Sequence, residues 1–432
     1  MKFYLHTLGC PKNTVDAEEM ASRLIAAGDV PVARPDDADV LVLNTCGFIA
    51  AARDESLETA RALAAMKRRD QRLVIAGCLA EREPDTVRTV ARVDAVLGTK
   101  RIAEIGAACH DGVPDRPSPR TLDLAGGWRR VAGGVSAYLK IADGCDHVCT
   151  FCTIPSFKGP LRSKPMRLVL AEADLLVASG TKELVLIAQD TTDYGHDLRD
   201  GTTLATLLRS LDARVVDRGA WVRVMYGYPH HVNDDLLEAI AACRSVVPYL
   251  DMPLQHAHRD TLRRMKRGGS SEWHLALIER IRARVPEIAL RSTFIVGFPG
   301  ETETEFETLL QFLEAARIDH AGFFPYSREP GTPAGDDVAQ VSEETKGERL
   351  ERAQRLQQRI GLAANRRAVG QTTDVLVERH ERHWAIGRSS REAPEVDGEV
   401  HVRASGALPP VGTFVRARVT GAAATWLHAV AA

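Results

Sequence analysis

Residues 144–152 read GCDHVCTFC, and three cysteines fall within these nine positions. Cys145, Cys149 and Cys152 have the spacing Cys-x3-Cys-x2-Cys. An apolar run over 137–141 precedes them, so we expect the cysteines on a loop at the end of a β-strand. Thiolates are soft ligands that select zinc, copper(I) or iron–sulfur clusters. Since a cubane cluster normally takes four cysteines, three would leave one iron open to a small molecule.

A structural zinc site is the simplest alternative for this loop. Such a site needs four ligands, usually in pairs two to four residues apart. The loop offers three cysteines, and His147 lies too tightly between them to be an obvious fourth ligand. The spacing instead resembles that of the radical S-adenosylmethionine (SAM) superfamily. The resemblance implies that the three cysteines hold a [4Fe–4S] cluster whose open iron binds SAM, which one electron then cleaves to a 5′-deoxyadenosyl radical.

The composition is typical of a soluble globular protein. The chain has 432 residues, enough for two or three domains, with 44% hydrophobic and 26% charged residues. The net charge of −2 gives no overall attraction to nucleic acid or to an anionic membrane. The sequence shows no apolar run of about 18 residues and no secretory signal, so we expect a cytoplasmic protein. The eight cysteines indicate metal ligation in a reducing compartment.

Residues 1–113 alternate strand and helix patterns, which predicts an N-terminal α/β (Rossmann-like) domain with a parallel sheet. Asn13 is the expected N-cap of the first helix, whose apolar face would run from Ala17 to Ala27. A second helix is expected over 50–69. Strands are expected at 3–8, 40–43 and 73–76.

Each of these three strands is followed closely by a cysteine, namely Cys10, Cys46 and Cys78. Ligands of open α/β sheets bind at the carboxyl ends of the strands, so the three thiols are expected to meet there. This predicts a second three-cysteine metal site. The alternative is that they are ordinary buried cysteines, which is how we interpret Cys109 and Cys243.

Prolines and a Gly-Gly pair over 111–134 predict a linker. After it, residues 131–366 alternate strand and helix again, which predicts a partial (βα)6 TIM-like barrel with its chemistry at the carboxyl ends of the strands. We do not expect His230, His231 or His256 to be catalytic. The six strands are expected at 137–141, 183–188, 222–226, 249–253, 289–296 and 321–326.

Residues 367–432 change character and predict a small C-terminal antiparallel β-barrel. Short alternating strands are expected at 373–377, 399–402 and 414–419. Residues 371–432 contain seven acidic residues, seven arginines and no lysine. With equal numbers of acidic and basic residues, the tail lacks the excess of positive charge that a strong nucleic-acid binder has. We therefore expect no strong binding of nucleic acid.

Together, the α/β domain with three cysteines, the barrel and the tail resemble the radical SAM methylthiotransferase family over essentially the whole chain. The resemblance implies that Cys145, Cys149 and Cys152 hold the cluster that binds SAM, and that Cys10, Cys46 and Cys78 hold an auxiliary [4Fe–4S] cluster that supplies or carries sulfur. It also implies that the tail is a TRAM domain that docks the macromolecular substrate. No catalytic side chain is assigned.

Two branches of this family differ in substrate. One attaches methylthio to an adenosine of tRNA, and the other to the β-carbon of an aspartate in the twelfth protein of the small ribosomal subunit. The second branch is favoured by the near-neutral tail and by four stretches that resemble it: GCPKN at 9–13, CTFCTIPS at 149–156, MPLQH at 252–256 and FPYSREPGTP at 324–333. The expected partners are that ribosomal protein, free or within the ribosome, and an electron donor such as flavodoxin or ferredoxin.

Overall fold

The computed structural model describes residues 1–110, 133–404 and 406–432. The predicted linker over 111–134 therefore lies outside the described residues, except for its last two glycines. Among the described residues, no helix combines the length and the apolar character needed to cross a membrane.

The N-terminal segment forms a five-stranded parallel sheet in the order β2-β1-β3-β4-β5. The central strand β3 is buried along its whole length, which explains its continuous apolar sequence. The strands are β1 (Lys2–Thr7), β2 (Val30–Pro31), β3 (Val40–Thr45), β4 (Arg72–Gly77) and β5 (Ala95–Gly98). The helices are α1 (Pro11–Ala26), α2 (Ala50–Met66), α3 (Cys78–Arg82), α4 (Pro84–Arg88) and α5 (Ile105–His110).

The prediction for the start of α1 was wrong. The helix begins at Pro11 with Cys10 as its N-cap, because proline suits the first helical position. Asn13 lies inside the helix, and its side-chain amide donates to the carbonyl oxygens of Leu8 at 2.9 Å and Thr45 at 3.0 Å. Ala27 lies beyond the end of the helix and is exposed, so it does not extend the apolar face.

The middle segment contains a six-stranded parallel sheet in sequential order, as predicted for a partial barrel. Its strands are β6 (Ser136–Lys140), β9 (Glu183–Ile187), β10 (Trp221–Val224), β11 (Val246–Asp251), β12 (Ala289–Val296) and β13 (His320–Pro325), and a small antiparallel pair is formed by β7 (Ala142–Asp143) and β8 (Arg162–Ser163). The helices are α6 (Ile154–Lys158), α7 (Met166–Ala178), α8 (Leu204–Val215), α9 (Asp234–Ala242), α10 (Arg259–Arg264), α11 (Ser271–Arg284), α12 (Glu303–Ala316), α13 (Pro333–Asp336) and α14 (Glu343–Ala368).

The tail forms a closed five-stranded barrel in the order β14-β15-β16-β18-β17, which confirms the small β-barrel. Four pairings are antiparallel, whereas β16 and β18 pair in parallel. Two strands, β15 and β18, were not expected from the sequence. The strands are β14 (Thr372–Glu381), β15 (Trp384–Arg388), β16 (Glu399–Arg403), β17 (Phe414–Ala422) and β18 (Trp426–Ala431).

The loop between β15 and β16 joins the tail to the six-stranded sheet. Ala393 of this loop is fully buried in one cluster with Tyr138 and Tyr249, on the sheet face opposite the helices. Arg388, the last residue of β15, pairs with the buried carboxylate of Glu183, which also accepts from Arg223 at 2.7 Å. Burial alone would raise the pKa of Glu183, but the two guanidinium groups outweigh it and lower the pKa to about 2.

We predict that Glu183→Gln lowers the free energy of unfolding at pH 7 by about 3 kcal/mol, because it leaves buried guanidinium charge uncompensated. The measurement is urea unfolding of wild type and variant at several pH values. Because the folded pKa lies below the ordinary 4.5, the contribution is complete above pH 4.5 and is lost as the pH falls towards about 2. The difference between the two proteins should shrink over that range.

Glu399→Gln is the matched control, since Glu399 pairs with Arg379 on the surface of the tail barrel with 36% of its side chain exposed. Surface pairs contribute at most about 1 kcal/mol. Equal losses in the two variants would contradict a special role for the buried pair.

Candidate functional site

One cavity of about 450 Å³ brings the two predicted cysteine groups together. It lies where the carboxyl ends of β1, β3 and β4 face the loop that follows β6 and β7. Its lining includes Cys10, Cys46, Cys78, Cys145, Cys149 and Cys152. All six thiols are free of disulfides. The cavity therefore gathers soft ligands from two segments that are far apart in the chain.

The first triad follows directly from sheet topology. Cys10 caps α1 after β1, Cys46 follows β3, and Cys78 opens α3 after β4. The three strands are neighbours in the sheet, so their carboxyl ends meet at one edge. Gly9 has a φ of +93°, and a Cβ there would lie 2.6 Å from the Cβ of Cys46. Only glycine lets the chain before Cys10 approach Cys46 this closely.

Burial affects the protonation of two thiols in each triad. It raises the pKa of Cys46, and it raises that of Cys78 well above the ordinary range. In the second triad, burial raises the pKa of Cys145 to about 11 and that of Cys152 to about 12. Such thiols hold their protons at neutral pH, and a metal that binds them must displace the protons. Each triad offers three sulfur donors, the set that fits a cubane cluster with one open corner.

The ring of His147, which lies between two cysteines of the second triad in sequence, contacts a carboxylate and an aromatic ring. Its Nε2 lies 2.7 Å from Asp190 Oδ2, and its ring stacks on Tyr228 with centroids 4.0 Å apart. Nδ1 of His231 lies 3.0 Å from the same Asp190 oxygen. Burial alone would raise the pKa of Asp190, but hydrogen bonds from both histidines outweigh it and hold the pKa well below its usual range.

The other two histidines considered in the sequence, His230 and His256, have different surroundings. His256 is fully buried, and burial lowers its pKa to about 3, so it remains a neutral core residue. The ring of His230 packs against Trp273 at 4.2 Å between centroids. Cys109 is buried in the core of the N-terminal domain, and Cys243 in that of the barrel.

Buried ion pairs fix the N-terminal sheet against the barrel. Glu329, 2% exposed, accepts from the backbone N–H of Ala50 at 2.8 Å and pairs with Arg82 at 3.1 Å and Arg53 at 3.4 Å. Because these groups are buried, the interface resists sliding that would separate them. The two triads are thereby held on opposite walls of one cavity.

A second buried network crosses the same interface. Asp16 of α1 pairs with Lys140 and with Lys158, the latter at 3.3 Å. Lys158 also donates to Thr99 at 2.6 Å and to Asp143 at 3.3 Å. The ammonium groups of Lys140 and Lys158 therefore both have a carboxylate partner at this interface.

The cavity lining also includes Lys12, Tyr226 and Arg291, to which the sequence analysis assigned no role. Lys12 places its ammonium 3.2 Å from the centroid of the Tyr226 ring. Burial lowers the pKa of Lys12 to about 8. Arg291 lines the same wall and pairs with Asp251 at 3.1 Å. Lys12 belongs to the quoted stretch GCPKN, but its position beside Tyr226 depends on tertiary packing that the sequence does not display.

Family models match the N-terminal domain, the barrel and the tail barrel separately. Residues 2–98 match an uncharacterized protein family, UPF0004; residues 139–313 match the radical SAM superfamily; and residues 369–431 match the TRAM domain. These matches cover both cysteine groups and the tail barrel.

Solved structures share the fold at low sequence identity. The radical SAM methyltransferase TsrM from Kitasatospora setae, with cobalamin and a [4Fe–4S] cluster bound, has a TM-score of 0.56 and 15% identity, covering 78% of this chain and 77% of its own. The cobalamin-dependent SAM radical enzyme OxsB has a TM-score of 0.53 and 13% identity, covering 83% of this chain and 56% of its own. At these identities the similarity shows the fold alone.

Full-length relatives are much closer in sequence. The ribosomal protein uS12 methylthiotransferase RimO of Roseiflexus castenholzii is 48% identical, with 98% of this chain and 94% of the relative covered. RimO of Chloroflexus aurantiacus is 46% identical with 98% of both chains covered, and RimO of Anaeromyxobacter sp. (strain Fw109-5) is 44% identical over 98% and 91%. With this identity over nearly its whole length, and with both cysteine triads on one cavity, the chain belongs to the RimO family of radical SAM methylthiotransferases.

Proposed function

We propose that this protein adds a methylthio group to the β-carbon of an aspartate in ribosomal protein uS12. The observation that carries the proposal is the single cavity lined by both cysteine triads, since the reaction needs a radical source and a sulfur source at one carbon atom. The names of the relatives supply the substrate. The tRNA alternative is not favoured by these relatives.

Two [4Fe–4S] clusters fit the two sets of sulfur donors. Cys145, Cys149 and Cys152 would hold the cluster that binds SAM, and Cys10, Cys46 and Cys78 would hold the auxiliary cluster. When bound, these groups would supply the electron that cleaves SAM and the sulfur that is inserted, while a second SAM would supply the methyl group.

The protein's own side chains shape this environment. Aromatic and aliphatic groups of the lining, such as Phe151, Ile154 and Phe157, would exclude water from the reacting carbon. Arg267 places its Nη1 3.7 Å from Cys149 Sγ and its guanidinium over the ring of Tyr228, so its positive charge lies beside the second triad. The reacting C–H bond has no acidic proton, so the proposed site requires no general base.

Three domains divide these tasks in the proposal. Residues 1–113 carry the auxiliary triad, residues 131–366 carry the triad that binds SAM, and residues 367–432 dock the ribosomal protein. A small cytoplasmic electron-transfer protein such as flavodoxin or ferredoxin would deliver the electrons, and uS12 would be modified either free or within the ribosome.

The iron content tests the two-cluster assignment directly. We predict about eight irons per reconstituted chain, and about four after Cys46→Ala or Cys145→Ala, because each change removes one ligand of one cluster. Cys243→Ala is the control and should keep about eight, since Cys243 is buried in the barrel core away from the cavity. Four irons in the wild-type protein would contradict a second cluster.

The two triads should also separate by activity. We predict that Cys145→Ala abolishes formation of 5′-deoxyadenosine, since the cluster that binds SAM is lost. Cys46→Ala should still cleave SAM but should leave uS12 unmodified, because the sulfur source is lost. Chromatography of deoxyadenosine and mass spectrometry of uS12 measure the two outcomes. Methylthiolated uS12 from either variant would contradict the assignment of its triad.

A further inference from the structure

Lys12 differs from Lys140 and Lys158 in having no carboxylate partner among the described residues. Lys140 and Lys158 both pair with Asp16. Within the part of the chain that the structure describes, the ammonium of Lys12 forms no ion pair and instead lies against the face of the Tyr226 ring. An ammonium partly withdrawn from water and lacking an anion is costly, so its presence in a mostly apolar cavity needs a compensating ligand.

The backbone of Tyr226 shows that this contact is maintained against strain. Tyr226 has a φ of +63°, in the left-handed region that bulky residues rarely adopt. Strained residues of this kind persist where their surroundings fix them, and they concentrate at functional sites. The aromatic face attracts the ammonium and holds it at the cavity wall.

Buried charges on the other side of Tyr226 hold its backbone in place. Its N–H donates to the fully buried carboxylate of Asp251 at 3.1 Å. Arg291 bridges Asp251, at 3.1 Å, and Asp397 of the loop between β15 and β16, at 3.2 Å. Arg291 is therefore already neutralised by two carboxylates. Arg267, a further cation of the lining, lies against Cys149 Sγ and the Tyr228 ring on the side of the second triad, so Lys12 is the described cation beside Tyr226 that can accept an incoming anion.

We propose that Lys12 binds the side-chain carboxylate of the target aspartate and is the residue by which the site distinguishes aspartate from asparagine. The inference rests on the proposed function and deepens it. The reacting β-carbon carries this carboxylate directly, so the carboxylate must enter the cavity with it. Lys12 follows Cys10 by two residues and lines the same cavity, which places the cation beside the proposed sulfur source. The apolar surroundings strengthen the ion pair.

A different role is that Lys12 offsets the negative charge of the cysteine triad beside it. That role would make the loss from a Lys12 substitution independent of the substrate's side chain. Comparing aspartate with asparagine at the target position therefore separates the two roles, because only the carboxylate-binding role depends on the substrate's charge.

The test uses the reconstituted full-length protein and two probes, uS12 and uS12 with asparagine in place of the target aspartate. Binding affinity and methylthiolation are both measured for wild type, Lys12→Met and Lys12→Arg. Wild type should prefer the aspartate protein by about 30-fold or more, as for other buried charge pairs. The preference should fall to about threefold or less in Lys12→Met and be partly retained in Lys12→Arg.

Lys100→Met is the matched control on the same domain, since Lys100 is 46% exposed and pairs with Glu81 at the surface. It should keep the full preference. Tyr226→Leu should lower the preference, because the leucine side chain offers the ammonium no aromatic face.

Two results would overturn the role of Lys12. One is a full preference for aspartate in Lys12→Met. The other is an equal loss for both probes accompanied by reduced iron content, which would assign Lys12 to the cluster. If wild type modifies neither probe and does not bind uS12, the proposed function fails and the role of Lys12 fails with it. A wild-type enzyme that modifies uS12 while Lys12→Met keeps the preference overturns the role of Lys12 alone.

Discussion

The arrangement depends on one constraint of parallel sheets, which is that the carboxyl ends of neighbouring strands meet at a single edge. In the N-terminal sheet this edge gathers Cys10, Cys46 and Cys78, although the first and the last are 68 positions apart in the sequence. In the barrel the same rule puts the loop of Cys145, Cys149 and Cys152 at the catalytic end of the strands. The two edges face each other, and the cavity between them is the result.

Facing edges alone would not hold two cysteine groups at a fixed separation. Buried polar contacts fix that separation. Glu329 accepts a hydrogen bond from the start of α2, and Asp16 forms ion pairs with two barrel lysines. Charged groups removed from water tolerate little displacement, because each loses its partner before it regains hydration. The interface therefore favours one docking geometry more strictly than an apolar contact of the same area would.

The three N-terminal strands that precede cysteines, and the gathering of their cysteines at one sheet edge, could be predicted because apolar runs followed closely by glycine or cysteine are local signals. The strands β2 and β5 and the order of the N-terminal sheet were not predicted. Other features depended on tertiary context. Asn13 is a good N-cap by its side chain, yet Pro11 set the start of the helix and the amide was used to tie down two loop carbonyls. The strand β15 was not predicted because Gly387 weakens its strand pattern. The structure needs glycine at this position, since a Cβ there would lie 2.1 Å from the Leu376 carbonyl oxygen. The left-handed backbone of Tyr226 has no signal in the sequence at all.

The loop between β15 and β16 also restricts how such a protein can be rearranged. It fills space on the inner face of the barrel with Ala393, and it supplies Asp397 to Arg291 and Tyr249. A chimera that exchanged the tail barrel for one with a different loop would leave those groups without partners. The tail is thus coupled structurally to the catalytic barrel rather than attached to it as an interchangeable module.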